Sequence, residues 1–247
     1  MPKVHFAPLS SIAAGLLGLF AVDRVSPLSA AGWAAGLLYL VVSNGLLARG
    51  LHRRVSSTFG WANGVTAGRS TLVGLVTALV ATSIGSAVSV PLVIVLGSIA
   101  LILDAVDGWV ARRTRSESEL GARFDMEVDA FLLLVLSVFV APSLGWWVLA
   151  IGLLRYAFVV AGWLVPWMRS TLPPRYWRKV VTAVAGIALI IAASGLPPLA
   201  VRVTVTVIAL ALLVESFGRD VLWLATHRPA TRIGVGTGRG RTNGEMR

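Results

Sequence analysis

An all-α integral membrane protein is the fold class this sequence predicts, and three observations predict it. Hydrophobic residues make up 56% of the 247, with a mean hydropathy of +0.81. The apolar residues gather into eight runs. The basic residues fall between alternate pairs of those runs rather than between all of them.

Composition carries the first point. A soluble domain of this length cannot bury so much apolar surface, so lipid must solvate part of it. Only 13% of residues are charged, yet the net charge is +11. In a chain this apolar, a basic excess fits loops facing anionic lipid, and no nucleic-acid partner is expected. The chain has no cysteine, which excludes disulfides, thiolate nucleophiles and cysteine-bound zinc. His5, His52 and His227 lie outside the apolar runs. Acid–base chemistry inside the membrane domain therefore falls to other groups.

The runs are 8–22, 28–48, 64–85, 89–106, 123–142, 145–166, 180–195 and 199–226. A spanning helix needs about 20 mostly apolar residues, so the first and seventh are short. Lys3 ahead of the first run fits a signal peptide, but no convincing cleavage site follows, and an uncleaved anchor is expected. With the N-terminus in the cytoplasm and every run spanning, Arg49, Arg53, Arg54, Arg112, Arg113, Arg115, Arg169, Arg175, Arg178, Lys179 and Arg228 fall inside. Arg24 is then almost alone outside. This asymmetry predicts an even number of spans and a cytoplasmic C-terminus. Trp146, Trp147, Trp163 and Trp167 lie near predicted interfaces and read as an aromatic belt. Three parts follow: a hydrophobic extension over 1–60, a membrane domain over 61–226 and a disordered basic tail over 227–247. The tail's GVGTGRG stretch lacks a preceding strand and a following helix, so no dinucleotide site is expected there.

The chemistry concentrates in Leu103–Phe131, which holds four of the six aspartates. Asp104 and Asp107 are three apart at the end of one run. Asp125 and Asp129 are four apart near the start of the next. Those spacings put each pair on one helix face, and a short connection lets the pairs meet. Four carboxylates at a membrane edge would repel one another unless cations were shared among them. Oxygen-only ligands select hard ions such as Mg²⁺ or Mn²⁺. Four carboxylates suit two ions about 3.5–4 Å apart, an arrangement that clamps a phosphoryl transfer. Gly108, directly after Asp107, leaves room for a close ligand approach, and Arg112, a turn further on, can neutralise a phosphate. Gly121 permits close packing or a tight turn before Asp125.

Asp104, Asp107, Gly108, Ala111, Arg112, Gly121, Asp125 and Asp129 together form D-x2-D-G-x2-A-R-x8-G-x3-D-x3-D. This pattern resembles the signature of the CDP-alcohol phosphotransferase family. Eight fixed positions make a chance match roughly one in 10¹⁰ per start site. Upstream, Asn63, Thr66 and Arg69 form N-x2-T-x2-R, similar to a segment opening the family's first core helix; Ala62 stands where proline is usual. The resemblance covers about 60–226, six of the eight runs. It implies a six-helix core, here with about two extra N-terminal hydrophobic helices, commonly as a homodimer in the plasma membrane with its site facing the cytoplasm. It implies that Asp104, Asp107 and Asp125 bind metal, while Asp129 both reaches metal and acts as general base. Gly108, Arg112, Ser118, Gly121, Asn63, Thr66 and Arg69 fall on the donor side. The partners implied are a CDP-activated lipid, such as CDP-diacylglycerol, and a polar alcohol acceptor, with release of CMP.

The acceptor side is less marked. Arg155 lies inside a run, where it either faces a polar cavity or pairs with a carboxylate. Arg169, Arg175, Arg178 and Lys179 cluster before the next run. They read either as ordinary positive-inside charge or, as in relatives with phosphorylated acceptors, as a phosphate site for glycerol 3-phosphate or an inositol phosphate. Glu127 points away from Asp125 and Asp129 on a helix and is expected to pair with an arginine. Glu215, Arg219 and Asp220 read as ion-pair partners. Two other function classes compete with the enzyme. A cation transporter would hold its acids near the bilayer midplane, and a dead scaffold would have lost an aspartate.

Overall fold

The computed structural model describes residues 6–52, 61–114, 119–169 and 176–226, without the side chains of 6–10, 47–52, 61–67, 107–114, 119–124, 166, 169 and 176. The tail 227–247 lies outside the described residues. Among the described residues, eight α-helices answer the eight apolar runs: α1 (Phe6–Val25), α2 (Ala30–His52), α3 (Trp61–Ser83), α4 (Val90–Thr114), α5 (Glu119–Leu144), α6 (Leu149–Leu164), α7 (Tyr176–Ser194) and α8 (Leu199–Thr226). No strand occurs among the described residues. A helix keeps its backbone hydrogen bonds within its own segment, as lipid requires. Four stretches are long and apolar enough to cross a membrane: Asp125–Leu144, Trp146–Leu164, Trp177–Ser194 and Leu199–Thr226. The protein is a multi-helix membrane protein.

Helix ends depart from run ends for physical reasons. The fourth run stops at 106, yet α4 continues to Thr114. The run marks the extent of hydrocarbon, whereas a helix already satisfying its own backbone can carry on into polar surroundings. For the same reason the two short runs become helices of 20 and 19 residues, α1 and α7. The sixth run is broken at both ends. A short 3₁₀ turn, Trp146–Val148, precedes α6. At the other end Pro166 holds Val165 extended, with φ −116° and ψ 105°, because proline disfavours helical backbone in the residue before it.

α3 is the hub. It packs against α1, α2, α4 and α5, while α7 touches α4, α5 and α8, and α6 lies between α5 and α8. The N-terminal extension is not a loose appendage. Ser29 caps α2 by accepting from the Gly32 N–H at 3.1 Å, and the Ser29 N–H donates to Thr82 Oγ1 at 3.2 Å. The Ser89 N–H donates to the buried Ser26 hydroxyl at 3.1 Å. The α1–α2 and α3–α4 turns are therefore stitched together. Gly32 presses on Thr82 and the Ala78 carbonyl, where any side chain would collide.

The core is built from inward stripes. Val73, Val76 and Leu79 on α3, Val93 and Ala100 on α4, and Leu132, Leu136 and Val140 on α5 are almost fully buried. These positions recur at helical spacing. Extended by one or two turns toward one end of the bundle, the same stripes reach Arg69, Asp104, and Asp129 with Asp125. At that end α7 and α8 are also joined by polar contacts. Arg178 Nε lies 3.1 Å from Asp220 Oδ2, with Asp220 4% exposed, and Trp177 Nε1 donates to Glu215 at 3.2 Å. Glu215 pairs with Arg219 one turn on, at the surface.

α5 and α6 meet at Gly152, where an added Cβ would run into the Leu134 backbone. Gly152→Ala should cost about 1–3 kcal/mol and lower the melting temperature in detergent, whereas Gly218→Ala, which meets open space, should leave it unchanged or raise it. Asp220→Asn takes the carboxylate from Arg178 and should cost about 1–3 kcal/mol in the same assay. Arg219→Gln, in an exposed pair, should stay within about 0.5 kcal/mol.

Candidate active site

Three elements build the site. Arg69 projects from α3, Asp104 from α4, and Asp125 and Asp129 from α5. The two α5 aspartates share a face because they lie four apart. Arg69 is 1% exposed, the least exposed charged residue among those described. Its guanidinium pairs with the carboxylates of Asp104 and Asp125 and lies 3.4 Å from Asp129. It also donates to the main-chain carbonyl of Asp125 at 3.3 Å. An arginine inside a membrane bundle is tolerated only with such partners.

One carboxylate oxygen from each of Asp104, Asp125 and Asp129 lies within 4.8 Å of the other two. The three side chains are 33%, 26% and 22% exposed, so the cluster opens to one side while Arg69 closes the other. With all three ionised, one guanidinium offsets one charge and a divalent cation would offset the other two. The donor set is all oxygen, the chemistry of Mg²⁺ and Mn²⁺ sites. The residues present therefore fit a hard divalent ion.

The sequence-predicted residues divide by location. Asp104, Asp125 and Asp129 converge. Asp107, Gly108 and Arg112 continue α4 beyond Asp104, and Gly121 precedes Asp125 on α5; their side chains lie outside the described residues, as do those of Asn63 and Thr66 in the first turns of α3. Ser118 and Arg175 lie outside the described residues altogether. Arg69, read from its motif as a donor-side residue, is turned into the aspartates. Arg155 does not join them. It pairs with Glu127 at 2.5 Å, the arginine partner expected for that glutamate. Arg178 is engaged by Asp220, and its neighbour Lys179 is exposed yet close enough for its charge to act at Asp125 and Asp129.

One residue escaped the sequence reading. Tyr39 on α2 stacks on Phe131, with ring centroids 4.9 Å apart at 24°, and its hydroxyl lies 3.4 Å from Ser70 Oγ. Phe131 is two residues past Asp129 and Ser70 is next to Arg69, so the N-terminal extension touches two of the three helices that carry the site. The signal was available: a tyrosine within an apolar run must find its hydroxyl a partner when buried.

No curated protein and no solved structure is significantly similar to the chain. The sequence profile of the CDP-alcohol phosphatidyltransferase family matches residues 59–215. The match begins just before α3 and runs into α8, enclosing Arg69 and all four signature aspartates. This membrane-embedded helical chain belongs to the CDP-alcohol phosphatidyltransferase family, transferases that take a CDP-alcohol donor and an alcohol acceptor.

Proposed function

We propose that the chain transfers the phosphatidyl group of CDP-diacylglycerol to a polar alcohol and releases CMP, as a step in phospholipid synthesis. The observation that carries this is the convergence of Asp104, Asp125 and Asp129 from two helices, with oxygens within 4.8 Å of one another, inside the segment matched by the family. Asp107 is the fourth member, and Asp104, Asp107, Asp125 and Asp129 would together hold two Mg²⁺ or Mn²⁺ ions. When bound, such ions withdraw charge from the phosphate oxygens and stabilise the leaving phosphate.

The chain's own groups do the rest. Asp129 takes the proton from the acceptor hydroxyl. The acceptor oxygen then bonds to the phosphorus distant from cytidine, and the bond from that phosphorus to CMP breaks, its electron pair leaving with CMP. Asn63, Thr66, Gly108, Arg112, Ser118 and Gly121 flank the nucleotide and its phosphates. Partial exposure of the aspartates lets a water-soluble acceptor meet a lipid-anchored donor at the edge of the bundle. The positive-inside distribution supports a cytoplasmic position for that edge and for the C-terminus, in a homodimer at the plasma membrane.

A phosphorylated acceptor, glycerol 3-phosphate or an inositol phosphate, is the reading favoured by basic charge at the site. Lys179 supports it most directly. Arg178 is partly neutralised by Asp220, Arg155 is partnered by Glu127, and Arg175 completes the basic group in sequence.

The test is CMP release by the purified chain in detergent with CDP-diacylglycerol, Mg²⁺ or Mn²⁺, and a panel of glycerol 3-phosphate, inositol 1-phosphate, inositol and serine. One acceptor should support release, and chelation with EDTA should abolish it. Asp129→Asn should lower kcat by roughly 10²–10⁴-fold, with Glu127→Gln within about twofold of wild type. Lys179→Glu should raise the KM of a phosphorylated acceptor and leave that of an uncharged one unchanged. Metal-independent release, or full activity in Asp129→Asn, would sink the assignment.

A further inference from the structure

Arg69 plays a part that neither its motif nor the transfer chemistry specifies. It is the one cation buried among three carboxylates from two other helices, at 1% exposure, among the described residues. Its Nη atoms are committed to carboxylate and carbonyl oxygens, while its Nε is buried without a hydrogen-bond partner. The head group is held by the aspartates rather than by its full complement of donors.

Three ionised carboxylates held this close repel one another in a poorly screened setting. Something must offset that repulsion whenever no divalent ion is present. A guanidinium suits that role because it stays charged, is weakly hydrated for a cation, and offers five donors in a rigid fork. The same placement sets it against an incoming metal. An ion coordinating Asp104, Asp125 and Asp129 must take oxygens that Arg69 engages, and must also approach a fixed positive charge.

We propose that Arg69 is the resident counter-cation of the aspartate cluster, a positioning residue that holds the three carboxylates at ligand spacing in the metal-free protein and cedes oxygens to a divalent ion on binding. This rests on the metal-dependent reading of the site. Its consequence is thermodynamic. Whatever Arg69 contributes to the metal-free state beyond its contribution to the metal-bound state subtracts from metal affinity. Arg69 thus trades binding strength for a preassembled site.

The experiment is a Mn²⁺ titration of the full chain in detergent, read from the electron paramagnetic resonance of the free ion, for wild type, Arg69→Met and Arg69→Lys. Arg69→Met should bind Mn²⁺ about tenfold more tightly than wild type, since one repelling charge at short range is removed. Arg69→Lys, which restores the charge without the fork, should return toward the wild-type value. Arg69→Met should also melt at a lower temperature in EDTA and gain more from added Mn²⁺. Should the methionine variant fail to fold, wild type supplies an independent readout. With ¹³C-guanidino-labelled arginine, Mg²⁺ addition should produce a guanidinium band in the infrared difference spectrum. Mn²⁺ binding that is equal or weaker in Arg69→Met, or metal binding with a silent guanidinium region, overturns this proposal and leaves the metal-dependent reading intact. Absence of any Mn²⁺ binding by wild type overturns both.

Discussion

The contact on which the rest of the structure depends is the pairing of Arg69 with Asp104, Asp125 and Asp129. A charged residue inside a membrane bundle is costly, by about 2.5–3.5 kcal/mol even on insertion scales. Removing one partner of a buried pair costs about 3–5 kcal/mol. α3 must therefore present Arg69 to both α4 and α5, and the ends of those helices must turn their aspartates inward. The central place of α3, with α1, α2, α4 and α5 around it, meets that demand. It leaves the aspartates open on the side away from the arginine, where substrates and ions can arrive.

Beneath the cluster the arrangement is continuous with ordinary apolar packing. Asp125 and Asp129 extend the stripe of Leu132, Leu136 and Val140, and Arg69 extends that of Val73 and Val76. Local geometry need not change where chemistry begins; only residue type does. Apolar side chains fill the stripe at hydrocarbon depth, and charged ones take over where the bundle meets water. The remaining faces carry Leu17, Phe20, Leu38, Val41 and Leu222, all well exposed as lipid-facing residues are. The polar join between α7 and α8 follows the same rule, confined to the end of the bundle that holds the site.

Much of this was legible in the sequence, for identifiable reasons. Spacing alone put Asp125 and Asp129 on one face and Glu127 on another, because helix geometry is local. Apolar runs gave the number and order of helices. They did not give helix ends, since hydropathy reports depth in lipid and α4 outlasts its run by a full two turns. Partners across helices were harder to read. The N-x2-T-x2-R spacing marks Arg69 as important without saying that its head group turns to aspartates 35 and 56 residues later. Arg155 had two readings, and only the packing of α5 on α6 joins it to Glu127. The contribution of residues 1–60 was only half legible: a tyrosine in an apolar run signals a hydroxyl that needs a partner, but the stacking of Tyr39 on Phe131 is a property of assembled helices and leaves no periodicity behind.

The stitched α1–α2 hairpin has a consequence for the order of manufacture. A ribosome adds about 5–20 residues per second, so Asp125, 56 residues behind Arg69, is made about 3–11 s later. Until Asp104 follows, 35 residues behind Arg69, α3 carries an arginine with none of its carboxylates yet made, and Asp125 and Asp129 complete the set only at the end of that interval. The hairpin, however, is already complete. Its Ser29 and Gly32 are ready for Thr82, and Tyr39 is ready for Ser70, before α4 and α5 are synthesised. The nascent chain thus offers α3 a packing surface first and its counter-ions second.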